Sequence, residues 1–244
     1  MKILLTGSSG FIGKTFLRRF GDRYDITPYD IVGGKDIRLF DDITPEDYDA
    51  VVHLAARAGV RKSHYDPEDF WDVNVNGSKK IFNEFEMSWR NIPIIYASSS
   101  SIYEWWQSPY ATTKKVVEEI APYNSLGLRF HTVYGDNSRT DMLYDKLLRK
   151  DVTYITNHTR DWTHVDDVCE AIHICIKNFN SLRRDHGAID VGNGRPVTVK
   201  EMSDHIWPDN NLPIKDVEGE RQNTCADPAV LLQYGWQPKH HILD

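Results

Sequence analysis

The chain has 244 residues, of which 40% are hydrophobic and 27% are charged. No stretch approaches the roughly 20 consecutive apolar residues that cross a bilayer, so the sequence excludes a membrane-spanning helix and predicts no membrane partner. Acidic residues outnumber basic ones by 36 to 29, and the formal charge of −7 excludes a general electrostatic attraction to nucleic acid. The length is sufficient for one large α/β domain with a sizeable core.

The first half of the chain alternates between predicted strands and helices. Lys2–Thr6 is a short apolar run that ends at Gly7, and apolar residues at helical spacing follow from Phe11 to Phe20. Further apolar runs end at Tyr29–Asp30, cover Val51–Leu54 and cover Ile94–Ala97. We therefore predict parallel strands joined by crossovers, in an α/β fold with a Rossmann-like doubly wound parallel sheet.

Two long amphipathic helices are predicted from Phe70 to Trp89 and from Tyr110 to Ile120. After Gly135 the pattern weakens, and only two helices are predicted, around 142–150 and 166–178. We expect residues 1–135, with returning segments near 155–175, to form the sheet domain. Residues 136–244 are expected to form mostly a small C-terminal cap.

Three glycines separate the first strand from the first helix. Gly7, Gly10 and Gly13 follow the pattern Gly-x-x-Gly-x-x-Gly in TGSSGFIG. Glycine allows a tight turn and a close approach to a pyrophosphate, and the helix N-terminus offers free N–H groups to the same anion. Ordinary strand-to-helix turns also use glycines, so both interpretations stay open from this motif alone.

Asp30 lies 17 residues after Gly13, at the end of the second predicted strand. An acidic side chain at this position accepts hydrogen bonds from an adenosine ribose and repels a 2′-phosphate, which favours NAD over NADP. The alternative is that Asp30 only caps a turn. Three cysteines, Cys169, Cys175 and Cys225, lack metal-ligand spacing and predict a reduced cytoplasmic protein without a metal site.

Tyr110 and Lys114 are four residues apart in the second long helix and therefore share one helix face. A lysine charge beside a phenol lowers the phenol pKa from its usual value near 10, which predicts a base that works close to neutrality. The serine-rich strand end Ser98–Ser101 comes just before this pair and supplies hydroxyl groups.

With these motifs, the chain resembles the extended short-chain dehydrogenase/reductases, and within them the NAD-dependent nucleotide-sugar epimerases and dehydratases. The resemblance covers nearly the whole chain, and its segments follow in family order. They are TGSSGFIG (6–13), HLAARAGVR (53–61), NVNGS (74–78), YASSSSIY (96–103), YATTKK (110–115), LRFHTVYG (128–135) and RDWTHVDDV (160–168). The family implies that the sheet domain binds NAD and the cap binds a nucleotide sugar.

The resemblance also implies roles for individual residues. Tyr110 would be the catalytic base, Lys114 would orient the nicotinamide ribose and tune Tyr110, and Ser99, or Ser100 in its place, would bind the reacting hydroxyl. Besides Tyr110 and Lys114, the implied cofactor-binding residues are Gly7, Gly10, Phe11, Ile12, Gly13, Asp30, Asp36, Ile37, Leu54, Ala55, Ala56 and Asn74. The implied substrate-binding residues are Arg61, Ser99, Ser100, Ser101, Thr132, Arg139, Arg160 and Arg221.

Within the family, four segments are most similar to those of UDP-glucuronate 4-epimerases. They are AGVR at 58–61, the four serines at 98–101, HTVYG at 131–135 and RTDM at 139–142. The expected reaction is therefore conversion of UDP-glucuronate to UDP-galacturonate, in a homodimer formed through the two long helices. The alternatives are another nucleotide-sugar epimerase, reductase or decarboxylase on the same scaffold, or a non-catalytic NAD-binding protein. Arg61 and Arg139 also have a plainer interpretation as surface arginines in ion pairs.

The chain departs from the family in one loop. Only six residues, Glu104–Pro109, separate Tyr103 from Tyr110, where relatives carry a longer loop. Glu104 replaces the usual glycine and is expected near the active site. His53 and His164 are expected to be structural, with backbone partners.

Overall fold

The computed structural model describes residues 1–244, and its centre is a six-stranded parallel sheet. In chain order the strands are β1 (Lys2–Thr6), β2 (Asp25–Tyr29), β3 (Ala50–His53), β4 (Ile94–Ser99), β5 (Ser125–Phe130), β6 (Thr132–Tyr134), β7 (Ile155–Thr156), β8 (Thr159–Arg160), β9 (Trp162–His164), β10 (Ala188–Val191), β11 (Val197–Thr198) and β12 (Ile214–Lys215). The large sheet has the order β10-β5-β4-β3-β1-β2. The predicted doubly wound α/β fold is thus confirmed.

Ten α-helices accompany these strands. They are α1 (Phe11–Phe20), α2 (Val60–Ser63), α3 (Pro67–Trp71), α4 (Ser78–Glu86), α5 (Pro109–Glu119), α6 (Leu143–Leu148), α7 (Val165–Lys177), α8 (Phe179–Asp185), α9 (Val199–Ile206) and α10 (Ala229–Gln233). The helices predicted around 142–150 and 166–178 correspond to α6 and α7. None of the ten has the length and apolar character that a bilayer crossing requires.

Two apolar layers hold helices on both faces of the sheet. On one face, Phe16 of α1, Ile172 of α7 and Leu182 of α8 pack against the sheet. On the other face, Phe82 of α4 and Val117 of α5 do the same. Because the chain runs from β1 to β2 and then returns to β3 beside β1, the strand order reverses there. A crevice at the carboxyl ends of the strands is the usual ligand position in such sheets.

The first long helix differs in detail from the prediction. Instead of one α-helix from Phe70 to Trp89, the chain forms α3, a π-helical stretch at Asp72–Gly77, and α4, which ends at Glu86. π-Helical turns are often found at functional sites. The second long helix is confirmed as α5, which begins where the Ser108 hydroxyl accepts a hydrogen bond from the backbone N–H of Ala111 at 3.2 Å.

The remaining elements form a smaller cluster beside the sheet. Three two-stranded pairs, β6 with β9, β7 with β12 and β8 with β11, surround a core that includes Leu147, Trp162 and Met202. The chain returns to the large sheet beyond residue 175, because α8 and β10 also pack there. The division into an NAD-binding domain and a cap stays a prediction.

Candidate active site

The glycine-rich loop between β1 and α1 packs directly against the segment that follows β3. Gly7 has a φ of +71°, and a Cβ placed on it would lie 2.6 Å from the backbone nitrogen of Ala55. A Cβ on Gly13 would lie 2.2 Å from the carbonyl oxygen of Gly7. Side chains are excluded at both positions because the contacts are with backbone atoms, which cannot rotate away. The loop therefore presents bare backbone at the N-terminus of α1.

Asp30 ties this loop to the end of β2. Its carboxylate accepts hydrogen bonds from the backbone N–H groups of Ser9 at 2.9 Å and Val32 at 3.0 Å. The capping role considered from the sequence is therefore present. An ionised carboxylate offers about four acceptor positions, so these two bonds leave capacity for ribose hydroxyls.

The other predicted cofactor residues lie at the same edge of the sheet. The backbone N–H of Ala55 donates to the Thr6 hydroxyl at 3.3 Å. Buried Asn74, in the π-helical stretch, accepts from the Arg57 N–H at 2.7 Å and donates to the Thr113 hydroxyl at 3.0 Å. The structure therefore brings the ends of β1 and β3 together with the helix that leads into α4.

Asp36 and Ile37 follow Asp30 in a short 3-10 turn. The Asp36 carboxylate accepts from Arg38 Nε at 3.0 Å and from Nη2 at 2.6 Å, and the hydrogen bonds from Arg38 hold the Asp36 pKa below its usual value. Ile37 is buried, and its side chain fills the space that a Cβ on Gly77 would need. Both residues thus already have firm protein partners at this edge.

The glycine-lined cradle, the helix N-terminus and Asp30 together fit a dinucleotide with an unmodified ribose. The exposed backbone N–H groups suit a pyrophosphate, and the carboxylate disfavours a 2′-phosphate. These residues are therefore chemically suited to hold NAD.

The candidate catalytic residues lie at the end of β4 and in the first two turns of α5. Lys114 is buried, and its Nζ donates to the carbonyl oxygen of Ala97 at 2.8 Å. Tyr110 packs edge-on against Phe70 of α3, with ring centroids 6.2 Å apart. Ser99 is the last residue of β4, and its hydroxyl acts to lower the pKa of the Tyr110 phenol.

The pKa of Tyr110 is raised, not lowered as the sequence predicted. Burial is the main cause, while the Ser99 hydroxyl and the charge of Arg139 act in the opposite direction. Burial also lowers the pKa of Lys114 to about 8, and the charge of Glu118 counteracts this effect. The error arose because a sequence gives the spacing of two groups but not their desolvation.

The serine-rich segment begins a tight turn. Ser99 accepts a hydrogen bond from the Ser101 backbone N–H at 3.1 Å and donates one to the Ser101 hydroxyl at 3.2 Å. The carbonyl oxygen of Ser100 accepts from Arg221 Nη1 at 3.4 Å. The predicted hydroxyl residues and one predicted substrate-binding arginine are therefore neighbours.

Three of the predicted substrate-binding arginines form one cluster with two carboxylates. Arg61 Nε donates to Glu220 at 2.6 Å, Arg160 lies 3.6 Å from the same carboxylate, and Arg221 Nε lies 3.2 Å from Glu104. Arg61, which is about half exposed, therefore forms an ion pair of the kind that the plainer interpretation predicts. Glu104 is beside the candidate site, as its position in the sequence predicted.

Arg160 has further hydrogen-bond partners within the protein. Its guanidinium donates to the carbonyl oxygens of Thr159 at 3.1 Å and Gln222 at 2.8 Å, and lies 2.9 Å from His158 Nδ1. Burial lowers its pKa to about 10. Much of its hydrogen-bonding capacity is thus already used by the protein.

Arg139 and Thr132 lie apart from that cluster. Arg139 pairs with Asp141 at 3.0 Å, and its charge reaches the Tyr110 phenol. Thr132 is in β6, where its backbone N–H donates to the carbonyl oxygen of Asp161 at 3.0 Å. The structure therefore places one cation near the candidate base and three around Glu220 and Glu104.

Comparison with known proteins identifies the family. The model of the NAD dependent epimerase/dehydratase family matches residues 3–192. The chain belongs to this family. Its cofactor is accordingly NAD, and it is an enzyme of the NAD-dependent epimerase type.

Two relatives show how similar this chain is to curated sequences of the family. Protein CapI of Staphylococcus aureus is 32% identical, over 84% of this chain and 82% of CapI. UDP-glucuronate 4-epimerase 3 of Arabidopsis thaliana is 29% identical, over 82% of this chain and 62% of the plant protein. The alignment with CapI spans 276 positions, although this chain has 244 residues, so CapI carries insertions relative to it.

Solved structures share the fold of this family member. MoeE5 in complex with UDP-glucuronic acid and NAD has a TM-score of 0.82 at 23% identity, covering 100% of this chain and 95% of MoeE5. The UDP-glucose 4-epimerase of Thermus thermophilus in complex with NAD has a TM-score of 0.81 at 21% identity, covering 100% of this chain and 97% of that enzyme. The fold of NAD-dependent nucleotide-sugar enzymes therefore extends along this whole chain.

Two carboxylates near the candidate site, Glu118 and Glu220, were not predicted from the sequence. Glu118 is four residues after Lys114, and the i to i+4 spacing was a usable signal for it. Glu220 has no such signal, because its partner Arg61 is 159 residues away in the chain. Long-range pairs of this kind become visible only when the fold is known.

The histidines have mainly structural surroundings. His53 contacts the hydroxyls of Thr6 at 2.7 Å and Ser78 at 2.9 Å, so its partners are side chains and not the predicted backbone groups. His164 accepts from the backbone N–H of Asp166 at 3.2 Å, as predicted. Potential ligand atoms of His164, Asp166 and His240 lie within 4.8 Å of one another. Asp166 and His240 also have partners: Asp166 pairs with two arginines, and His240 contacts Asp167.

Proposed function

We propose that this protein is a nucleotide-sugar 4-epimerase that converts UDP-glucuronate to UDP-galacturonate. The observation that carries the proposal is the arrangement of Ser99, at the end of β4, with Tyr110 and Lys114 in the first two turns of α5, where the charge of Arg139 acts on the Tyr110 phenol. In a hexuronic acid the carboxylate is attached to C5, next to C4. A cation near the group that handles the 4-hydroxyl therefore suits this substrate. Relatives named UDP-glucuronate 4-epimerase support the choice.

In the proposed mechanism, Tyr110 takes the proton of the 4-hydroxyl while Ser99 hydrogen-bonds the same oxygen. NAD, when bound, supplies reversible oxidation and reduction at C4, so the overall reaction consumes no reductant. Lys114 orients the nicotinamide ribose, and its ammonium charge favours the Tyr110 phenolate against the burial that raises the pKa of the phenol. Tyr110 returns the proton after the 4-keto sugar has turned over, and the site must therefore admit both C4 epimers.

The chain's own residues would hold the cofactor in the glycine-rich cradle. We propose that Gly7, Gly10 and Gly13, with the first turn of α1 at Phe11 and Ile12, bind the pyrophosphate. The remaining cofactor contacts are assigned to Asp30, Asp36, Ile37, Leu54, Ala55, Ala56 and Asn74. The chemistry of the cradle, bare backbone N–H groups at a helix N-terminus, supports this assignment.

The substrate would lie between the serine-rich turn and the arginines. We assign the diphosphate to Arg61, Arg160 and Arg221, and the sugar carboxylate to Thr132 and Arg139. Holding the carboxylate is important because the 4-keto intermediate is a β-keto acid, which loses CO2 readily. An anchored carboxylate keeps the reaction on the epimerisation path.

We also propose a homodimer in the cytoplasm. The dimer would use the face formed by α3, α4 and α5, where Trp71 of α3 and Trp106, in the 3-10 segment just before α5, are exposed. Three unpaired cysteines, Cys169, Cys175 and Cys225, are consistent with a reducing compartment.

The test of the reaction is direct. Purified protein is incubated with UDP-glucuronate and NAD, and the nucleotide sugars are separated by chromatography. The expected product is UDP-galacturonate, in equilibrium with the substrate. Formation of a UDP-pentose instead identifies a decarboxylase, and the absence of any product contradicts the proposal. Parallel incubations with UDP-glucose and UDP-N-acetylglucosamine separate the acidic substrate from neutral ones.

A further inference from the structure

Glu118 is a buried carboxylate that the mechanism above does not use. It lies one helical turn after Lys114 on α5, and only 8% of its side chain is exposed. It accepts hydrogen bonds from Arg129 Nε at 3.0 Å and Nη2 at 2.8 Å, and from the hydroxyl of Ser98. A buried carboxylate needs such partners, and it acts strongly on charges close to it.

Glu118 and Lys114 attach α5 to the same short stretch of β4. Lys114 donates to the carbonyl oxygen of Ala97, and Glu118 accepts from the side chain of the next residue, Ser98. Ser99, the candidate hydroxyl residue, follows immediately. The two attachments therefore fix how the helix that carries Tyr110 lies against Ser99.

The surroundings of Lys114 contain few other charges. From β3, His53 stays uncharged near neutrality, because burial lowers its pKa to about 3. From α5 itself, burial keeps the Tyr110 phenol protonated by raising its pKa. From β4, Ala97 contributes a neutral carbonyl group. Arg129 of β5 donates to both oxygens of the Glu118 carboxylate, through Nε and Nη2. Glu118, one helical turn from Lys114, is thus the anion whose charge acts on the lysine, although it also pairs with Arg129.

We propose that Glu118 is a positioning residue of this enzyme: its carboxylate, one helical turn from Lys114, stabilises the lysine ammonium and holds Lys114 in register with Ser99 at the end of β4. The inference rests on the roles proposed above for Lys114 and Ser99. A merely structural ion pair between α5 and β5 would stabilise the fold without controlling the proton on Lys114, and this difference can be measured.

The first test observes the lysine itself and needs no substrate. Protein labelled with 13C at the lysine Cε is titrated by NMR, and the Lys114 signal is assigned by its absence in Lys114→Met. The wild-type midpoint is expected at about 8. In Glu118→Gln it is expected to fall below the wild-type value, because the carboxylate that raises the Lys114 pKa is gone. An unchanged midpoint overturns the proposal.

Two further variants separate charge from structure. Glu118→Asp keeps the carboxylate and should restore a midpoint near the wild-type value. Arg129→Gln breaks the same ion pair but leaves the Glu118 charge, so its Lys114 midpoint should rise above that of the wild type. If the ion pair between Glu118 and Arg129 were purely structural, Glu118→Gln and Arg129→Gln would lose equal thermal stability. The Lys114 titration midpoint would then stay at the wild-type value in both variants. If Glu118→Gln does not fold, the Lys114 titration midpoint in Arg129→Gln decides between the two roles of Glu118.

The second test uses turnover. In Glu118→Gln, the alkaline fall of kcat should begin at lower pH than in the wild type, while KM for UDP-glucuronate stays within about twofold, since Glu118 is not assigned a substrate contact. An unshifted pH profile counts against the proposal. If the wild type turns over no nucleotide sugar, the proposed function fails, but the NMR titration still decides the role of Glu118.

Discussion

The carboxylate of Glu220 lies 2.6 Å from Nε of Arg61, and the same carboxylate lies 3.6 Å from Arg160. Both arginines are assigned to the diphosphate of the substrate. The Glu220 carboxylate therefore already pairs with the arginines that the negatively charged diphosphate is proposed to bind. The diphosphate must loosen these pairs when it binds, and part of its interaction with the arginines is offset by their loss.

Glu220→Gln is therefore expected to bind UDP more tightly than the wild type. Removing one carboxylate frees Arg61 and raises the local positive charge. Since Arg61 is about half exposed, the pair is weak, and we expect the dissociation constant to fall by about threefold to tenfold. Isothermal titration calorimetry with UDP measures the effect. Glu170→Gln is the matched control, because it removes the same charge beside Arg19, an arginine with no assigned role at the site. Weaker UDP binding by Glu220→Gln would mean that Glu220 holds the arginines in their binding positions.

Tyr110→Phe is expected to lower kcat by about 10²- to 10⁴-fold, the usual contribution of a positioned proton-transfer group. The aromatic ring is kept, so its edge-on contact with Phe70 persists and the variant should fold. Binding of NAD should change little. The measurement is the initial rate with UDP-glucuronate, together with NAD affinity by calorimetry. Unchanged turnover would remove Tyr110 from the mechanism.

The sequence predicted well those features that depend on local patterns. Strands with continuous apolar runs, such as Ile94–Ala97, and the helix predicted from Tyr110 to Ile120 were identified, because apolar periodicity is encoded by neighbouring residues. The pairing of Arg61 with Glu220 was not, since it joins distant parts of the chain. The direction of the Tyr110 pKa was wrong for a related reason: burial depends on how layers pack.

The glycine-rich loop allows a prediction that separates cofactor binding from folding. Gly10→Ala is expected to fold, because Gly10 has an ordinary φ of −75° and a Cβ there would lie 3.2 Å from its nearest neighbour, the carbonyl oxygen of Gly7. The added methyl group narrows the cradle, and we expect NAD to bind at least about tenfold more weakly. Calorimetry measures the affinity, and urea unfolding confirms the fold.

Gly13→Ala is the contrasting variant. Its Cβ would collide with the backbone of Gly7, so we expect a loss of about 3 kcal/mol in the free energy of unfolding, the upper part of the usual range for overpacking. Both stability and NAD affinity should therefore fall in Gly13→Ala, whereas Gly10→Ala should mainly lose affinity. Equal NAD affinity in Gly10→Ala and the wild type would show that this loop does not cradle the cofactor.

His53 makes the folded state sensitive to acid. It is almost completely buried, and burial lowers its pKa from 6.5 to about 3. Between these two values the unfolded chain binds one more proton than the folded chain, so the free energy of unfolding falls as the pH drops below 6.5. From pH 6.5 to pH 5 this amounts to about 2 kcal/mol. In His53→Gln, which keeps hydrogen-bonding groups near Thr6 and Ser78 but cannot titrate, this part of the acid sensitivity should disappear. Urea unfolding at pH 7, 6 and 5 measures both proteins. The difference in the free energy of unfolding between the wild type and His53→Gln should shrink by about 2 kcal/mol from pH 7 to pH 5. If the free energies of the two proteins instead fell in parallel with pH, His53 would accept its proton in the folded state.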